Sequence, residues 1–302
     1  MSILREIQMK PSIWTSYLIE LLPREMTKVF AGHGWQFLEL GEEHGHDLLK
    51  EGDPLKTGRD FKLFAENEGI TFLQGHFCMS SKGYRPEDME GRTGVDIAPA
   101  GEKEFASIMD YMKQWVDLFN AMGIKAGVIH IGGNSLAAAG WPEERIFSRR
   151  VEALRNIAGY AKGGATVLCL ENTALPGSRE INELLDIIKA AGCENTGICL
   201  DTGHANISGV NPSDFIMESG GYLKALHIDD NMGKTDDHIL PYAKGTVCWP
   251  PTGWWVSSRP RQRATMSLST PTVTAATGLP PAVTFANNAH GKATAPATVW
   301  PI

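Results

Sequence analysis

The sequence predicts an α/β fold, a (β/α)8-type barrel of parallel strands whose eighth unit is missing or replaced by a disordered tail. Short apolar runs alternate with amphipathic segments along residues 12–229, the pattern of a parallel sheet with crossover helices. Seven such units within roughly 247 residues favour a closed ring over an open sheet. Three apolar runs also end in metal-binding residues, Glu171, Asp201 and His227, and only a ring brings all the strand ends to one mouth.

The first three units lie before residue 123. Their predicted strands and helices are 12–14 with 18–30, WQFLEL at 35–40 with 59–68, and ITFLQGHF ending near His76 with 102–122. The last helix places Phe105, Met109 and Met112 on one stripe, at the spacing of a helix that lies on a sheet. The polar stretch GEEHGHD after the second strand is expected to be a solvated loop that exposes His44 and His46.

Four further strands follow. They are AGVIHIGG ending near His130 with a helix at 142–162, VLCLENTA with 179–191, GICLDTGHA with 212–218, and LKALHIDD. Pro142 suits the first turn of its helix. Gly132 and Gly133 open a loop in which the backbone can approach a ligand.

The composition of the 302 residues, 42% hydrophobic and 21% charged, is that of a soluble globular protein. No apolar run is long enough to span a membrane, and residues 1–10 lack the apolar centre of a secretion signal. We therefore expect a cytoplasmic protein without a membrane partner. The five scattered cysteines are expected to be reduced core residues. A net charge of −7 argues against a strong nucleic-acid binder.

The chain changes character after Val247. Residues 248–302 contain no Asp or Glu, although the chain has 35 acidic residues, and the chance of such a gap is roughly one in a thousand at ordinary composition. The segment is rich in Pro, Thr and Ala and has no helical or alternating period, so we expect it to be largely disordered. The predicted domains are a metal-dependent barrel at 1–247 and a tail at 248–302, which is either a natural linker or the product of a shifted reading frame.

Glu171, Asp201 and His227 offer two carboxylates and one imidazole at the ends of successive strands. This set suits a divalent metal such as Mn²⁺, Co²⁺, Mg²⁺ or Zn²⁺. His204 follows Asp201 in the same loop and can reach the metal or a substrate hydroxyl. Asp229 lies on the same side of its strand as His227, which suits a carboxylate that orients an imidazole.

The segments ENTA, CLDTGHA, LHIDD and DDHILPYAKGTV resemble the xylose-isomerase-like TIM barrels, a superfamily of sugar and sugar-phosphate isomerases and epimerases. The resemblance covers about residues 11–247. It implies that Glu171, Asp201 and His227 hold the metal and that His204 contacts substrate oxygens. The family's fourth ligand, a Glu after strand eight, has no counterpart here because the tail has no carboxylate.

The implied reaction is isomerisation or epimerisation of a sugar or sugar phosphate through an enediolate. Glu171 would be both a ligand and a proton-transfer group, and the missing strand-eight Glu should cost orders of magnitude in rate. Trp14, at the end of strand one, is expected either to form an apolar wall for the sugar ring or to be a plain core aromatic.

Two alternatives remain. In residue type and order, His76, His130, Glu171, Asp201, His204, His227, Asp236 and His238 also resemble the zinc ligands of endonuclease-IV-type apurinic endonucleases. Residues 1–247 carry 28 − 4 = 24 basic against 35 acidic residues, however, which disfavours nucleic acid as a partner and leaves the isomerase preferred. The second alternative is an inactive relative that binds a sugar or metal weakly. Its strands one and seven would expose edges that can aggregate or pair with a second copy as a homo-oligomer.

Overall fold

Eight parallel strands pair in chain order, and the last also pairs with the first, so the ring is closed. The structure is a computed structural model that describes residues 10–239, 241 and 245 and the backbone of 282–285. The predicted α/β barrel class is confirmed. The strands are β1 (Lys10–Trp14), β2 (Phe37–Leu40), β3 (Thr71–His76), β4 (Ala126–Ile129), β5 (Val167–Glu171), β6 (Thr196–Asp201), β7 (Leu223–Ile228) and β8 (Ala282–Phe285).

Strand β8 comes from the segment that the sequence predicts to be a tail. It pairs with β7 from Ala225↔Ala282 to Ile228↔Phe285 and with β1 from Lys10↔Ala282 to Ile13↔Phe285. The expectation of exposed edges on strands one and seven is therefore wrong, and so is the basis for a homo-oligomer paired through them. The boundary after Val247 and the disorder expected of the tail fall on residues outside the described part of the chain, so they stay predictions.

The helices are more numerous than the sequence predicts. They are α1 (Pro23–Gly32), α2 (Glu42–Lys50), α3 (Pro54–Asn67), α4 (Glu102–Met122), α5 (Asn134–Ala138), α6 (Glu143–Ala161), α7 (Ile181–Ala191), α8 (Thr202–Ser208) and α9 (Pro212–Ser219). Three short 3₁₀ turns lie at Thr15–Leu18, Pro86–Asp88 and Gly220–Tyr222. Helices α5 and α8 each occupy part of a predicted loop at the carboxyl end of a strand.

Helix α2 corrects the expectation of a solvated loop, because His44 and His46 are only 0% and 4% exposed. Its polar side chains are buried because other segments supply partners. The buried Glu42 carboxylate accepts hydrogen bonds from two backbone N–H groups, at Met79 and Ser80, and from the Ser80 and Tyr84 hydroxyls. The loop after β3 is thereby fixed against α2.

The core has two layers. Large apolar residues, among them Trp115 and Phe119 of α4, fill the space between helices and strands. A smaller cluster of Ala126, Val128, Cys169, Cys199 and Ala225 lies on the strands themselves. Because strand side chains alternate in direction, Cys169, Cys199 and Ala225 share a face with Glu171, Asp201 and His227 two residues further on. Small buried residues therefore form the floor beneath the strand-end polar groups, and Cys169 and Cys199 are free core thiols as predicted.

Candidate metal centre

The carboxyl ends of the strands surround a cavity of about 130 Å³. Its lining residues are Trp14, Glu39, His76, Met79, His130, Glu171, Asp201, His204, His227, Asp236 and His238. Every site residue that the sequence predicts therefore lies at one mouth. The closed ring explains the convergence, since these side chains come from segments between residues 14 and 238.

Glu171, at the end of β5, is the centre of the cluster. Its Oε2 atom lies 3.1 Å from His76 Nε2 and 2.9 Å from His130 Nε2. Its Oε1 atom lies 2.7 Å from His227 Nδ1. The two oxygens of one buried carboxylate thus face histidines from three different strand ends.

Asp201, at the end of β6, has a similar arrangement. Its Oδ1 atom accepts a hydrogen bond of 2.7 Å from the His204 backbone N–H and lies 3.5 Å from His204 Nδ1. Its Oδ2 atom lies 3.5 Å from His227 Nδ1. Asp201 is also the N-cap of α8, so the start of that helix fixes its carboxylate.

The segment after β7 supplies the outer part of the cluster. Asp236 places Oδ2 3.1 Å from His204 Nε2 and Oδ1 3.0 Å from His238 Nε2. His238 has a φ of 43°, a left-handed conformation that is uncommon for a non-glycine residue, although histidine adopts it more readily than most. Asp229 lies 3.4 Å from His238 Nε2, so the imidazole beside this carboxylate is His238 rather than His227.

Within the described part of the chain, four sets of three side chains each place their ligand atoms within 4.8 Å of one another. The sets are His76, His130 and Glu171; Glu171, Cys199 and His227; Asp201, His204 and His238; and Asp229, Asp236 and His238. Glu171 belongs to the first two sets and His238 to the last two. Glu171 and His238 could therefore each serve more than one of these sets.

Electrostatics keep the central carboxylate ionised. Burial raises the pKa of Glu171, but the positive charge of His227 and hydrogen bonds from His130, His227 and His76 outweigh it, so the pKa is held well below its ordinary value. Burial lowers the pKa of His227, yet Cys199, Glu39 and Glu171 together raise it well above the ordinary value. Without a metal, protons on the histidines neutralise the carboxylates.

The pKa values of the outer histidines and of Asp229 are all raised. Burial lowers the pKa of His238, but the hydrogen bond to Asp236 and the neighbouring carboxylates raise it to about 9. Burial lowers the pKa of His204 too, and the charges of Asp201, Asp236 and Glu171 raise it well above its ordinary value. Burial and the charge of Asp201 raise the pKa of Asp229 to about 8. These carboxylates therefore attract positive charge, whether from a proton or from a cation.

The residues present fit a divalent metal. Among the described residues that line the cavity, none is a lysine or arginine that would compete with a cation. Asp229 Oδ2 is buried, makes no hydrogen bond among the described residues and lies 3.4 Å from His238 Nε2, so it is a further oxygen that a cation could take as a ligand. A donor set that mixes imidazoles with carboxylates suits Zn²⁺, Mn²⁺ or Co²⁺ better than Mg²⁺, which prefers oxygen ligands.

Two residues of the site were missed from the sequence. Glu39 is the next-to-last residue of the WQFLEL run on β2, so a search for polar side chains near the carboxyl ends of the strands could have found it. Cys199 lies two residues before Asp201 on the inward face of β6, where alternation also predicts it. Trp14 lines the cavity, and its ring centre lies 6.2 Å from that of His238. Its role as a substrate wall stays a prediction.

The helices of the described residues include none long and apolar enough to cross a membrane. A family model described as xylose isomerase-like TIM barrel matches residues 29–271 of the chain. A probable endonuclease 4 of Mesomycoplasma hyopneumoniae strain J is 27% identical over 210 residues, which cover 65% of this chain and 72% of that relative.

Solved structures also match. A D-psicose 3-epimerase with D-tagatose from Clostridium cellulolyticum H10 has a TM-score of 0.61 at 17% identity, over 80% of this chain and 78% of that one. The IOLI protein, solved with a binding zinc atom, has a TM-score of 0.60 at 17% identity, over 80% of this chain and 81% of that one. At such identities the likeness establishes the barrel fold.

Proposed function

The chain belongs to the xylose isomerase-like TIM barrel family, and from this premise we propose that it is a metal-dependent hydrolase that cleaves DNA at abasic sites, as an endonuclease-4-type enzyme. The observation that carries the proposal is the convergence of eight ligand-type side chains at one mouth. They are His76, His130, Glu171, Asp201, His204, His227, Asp236 and His238. One metal takes about four such ligands, so eight indicate a centre with several metals, which is typical of phosphoester hydrolysis.

The two central carboxylates support this proposal most directly. Glu171 directs Oε2 to His76 and His130 and Oε1 to His227. Asp201 directs one oxygen to His204 and the other to His227. Each carboxylate thus directs its two oxygens to different imidazoles, as a ligand shared between neighbouring metals would. The order of residues in the sequence cannot reveal this sharing.

Bound divalent metals would polarise the phosphate and lower the pKa of a nucleophilic water. The chain's own part is to hold the ligands in place and keep them ionised. The histidines keep Glu171 anionic, and the Asp201 carboxylate is fixed at the start of α8. Because residues 1–247 carry 24 basic and 35 acidic residues, we expect weak non-specific binding to DNA, with affinity for the phosphate concentrated at the metal centre.

Sugar isomerisation or epimerisation is the second candidate. Glu171, Asp201 and His227 lie together as a single-metal site would require, and Trp14 lines the same cavity. A sugar or sugar phosphate would then react through an enediolate, with Glu171 moving the proton. Against this candidate, a single metal held by Glu171, Asp201 and His227 would leave His76, His130, Asp236 and His238 without a role as ligands.

The deciding experiment uses the full chain, loaded with Zn²⁺, Mn²⁺ or Co²⁺, and a DNA duplex with one tetrahydrofuran abasic-site analogue. We expect metal-dependent incision that a chelator abolishes and that is strongly reduced in His76→Ala and Asp236→Asn. Glu66→Ala, an exposed change on α3, is the control and should retain full activity.

The same variants separate the two candidates. A single-metal epimerase needs Glu171, Asp201 and His227 but should tolerate His76→Ala and Asp236→Asn. Proton exchange into a panel of sugars in D₂O that survives these two changes, without incision of DNA, would establish the epimerase instead. Neither activity in a folded, metal-loaded protein would identify an inactive relative that lacks the strand-eight Glu.

A further inference from the structure

Glu39 is a buried carboxylate that belongs to none of the ligand sets among the described residues. It lies on β2 and is 1% exposed. Its Oε2 atom accepts a hydrogen bond of 2.8 Å from Gln74 Nε2 on β3. Its Oε1 atom lies 3.1 Å from His227 Nε2 on β7, on the other side of the ring. Both oxygens therefore have a defined partner.

The His227 ring is held between two kinds of carboxylate. Nε2 faces Glu39, whereas Nδ1 faces Glu171 at 2.7 Å and Asp201 at 3.5 Å. Histidines that bind a metal use one nitrogen for the metal and donate the other N–H to a carboxylate or carbonyl, which fixes the tautomer and the ring orientation. Nε2, which faces Glu39, is placed to donate its N–H, and Nδ1, which faces Glu171 and Asp201, is placed to bind a metal.

We propose that Glu39 is the positioning residue for His227 and accepts its Nε2–H, so that the Nδ1 lone pair is directed at the Glu171 and Asp201 oxygens. Gln74 would hold the Glu39 carboxylate in the required orientation. The inference rests on the part of the proposed function that places a metal beside His227, which the hydrolase and the epimerase share.

The cost of burying Glu39 supports a role beyond packing. A carboxylate inside a barrel is unfavourable unless it is paired, and an apolar residue of similar volume often stabilises such a position as well or better. Among the described residues, the carboxylate that lies beside His227 Nε2 is that of Glu39, at 3.1 Å. Orientation of the ring on its Nε2 side therefore falls to Glu39.

The test compares Glu39→Leu, Glu39→Gln and the control Glu43→Gln. Glu43 is a nearby buried carboxylate whose hydrogen bond comes from Ser16 rather than from a ligand histidine. Circular dichroism and thermal unfolding check the fold of each variant. The readouts are Zn²⁺ affinity by competition with a chelator and the His227 tautomer by long-range ¹H–¹⁵N NMR of ¹⁵N-histidine-labelled, Zn²⁺-loaded protein.

We expect Glu39→Leu to weaken Zn²⁺ binding by about 10- to 100-fold, the usual effect of removing such a partner, and to lose the Nε2–H tautomer. Glu39→Gln keeps an oxygen acceptor, so it should retain the tautomer with a smaller loss, and it serves as the test if Glu39→Leu does not fold. Glu43→Gln should bind Zn²⁺ as the unmodified protein does.

Two results would overturn the inference and are distinguishable. If the unmodified protein binds Zn²⁺ and the folded Glu39 variants keep both its affinity within twofold and the His227 tautomer, the positioning role fails and the proposed function stands. If the unmodified protein binds no divalent metal, both fail together.

Discussion

Metal binding at the mouth should be strongly coupled to proton release. His238 has a pKa of about 9, so at neutral pH its imidazole is protonated and must lose that proton before it can bind a metal. The apparent affinity for the metal therefore falls as the pH is lowered below 9, because the proton and the metal compete for the same nitrogen.

The magnitude can be worked out for this one group. Between pH 8 and pH 6, a ligand with a pKa of about 9 loses about 90-fold in apparent affinity, or ~2.7 kcal/mol. A histidine at the ordinary value of 6.5 would lose only about fourfold over the same range. His204 has a raised pKa as well, so a metal that takes both histidines should show a steeper dependence.

The assay is Zn²⁺ titration against a fluorescent chelator of known pH dependence at pH 6, 7 and 8. Calorimetry in buffers of different ionisation enthalpy then counts the protons released. His238→Gln should weaken the pH dependence of Zn²⁺ affinity. His33→Gln is the control and should leave the pH dependence unchanged, because His33 is exposed and does not line the cavity. If the apparent Zn²⁺ affinity changes by less than about fivefold between pH 8 and pH 6, protons do not compete with the metal for the imidazole of His238, and the reasoning is refuted.

Three further predictions concern the fold and are checked by urea unfolding. Burial lowers the pKa of His44 to about 4, so the folded state resists protonation of this residue. The free energy of unfolding should therefore fall by about 2 kcal/mol between pH 7 and pH 5, and His44→Gln should remove this part of the fall. Glu42→Ala should cost about 3 kcal/mol or more, because it leaves two backbone N–H groups and two hydroxyls without their acceptor, whereas Glu66→Ala should change stability by under about 1 kcal/mol. Trp115→Ala, at a fully buried ring packed over Gly45, should cost about 3 to 5 kcal/mol, and a loss under 1 kcal/mol would contradict that packing.

The sequence predicts the order of the first seven strands and the strand-end positions of Glu171, Asp201 and His227, because both depend on local patterns. It fails at α2, since the burial of Glu42 and His44 depends on partners from segments far away in the chain, such as Ser80 and Thr15. No hydropathy pattern can show that residue 39 lies across the ring from residue 227.

The eighth strand also escapes prediction for a physical reason. Parallel strands pair through backbone groups that every residue except proline provides in full, so a segment without a recognisable strand pattern can still occupy the gap. Pairing at Ala282–Phe285 on both sides therefore needs little from the identity of these residues.

Closure of the ring and the chemistry of its mouth consequently depend on different groups. At β8 the ring is closed by backbone hydrogen bonds to β1 and β7, so most substitutions within Ala282–Phe285 other than to proline are compatible with the same pairing. The centre at the mouth depends instead on the individual side chains of Glu171, Asp201 and His227, which other residue types cannot replace as ligands. The ring and the centre are thus open to change independently of each other.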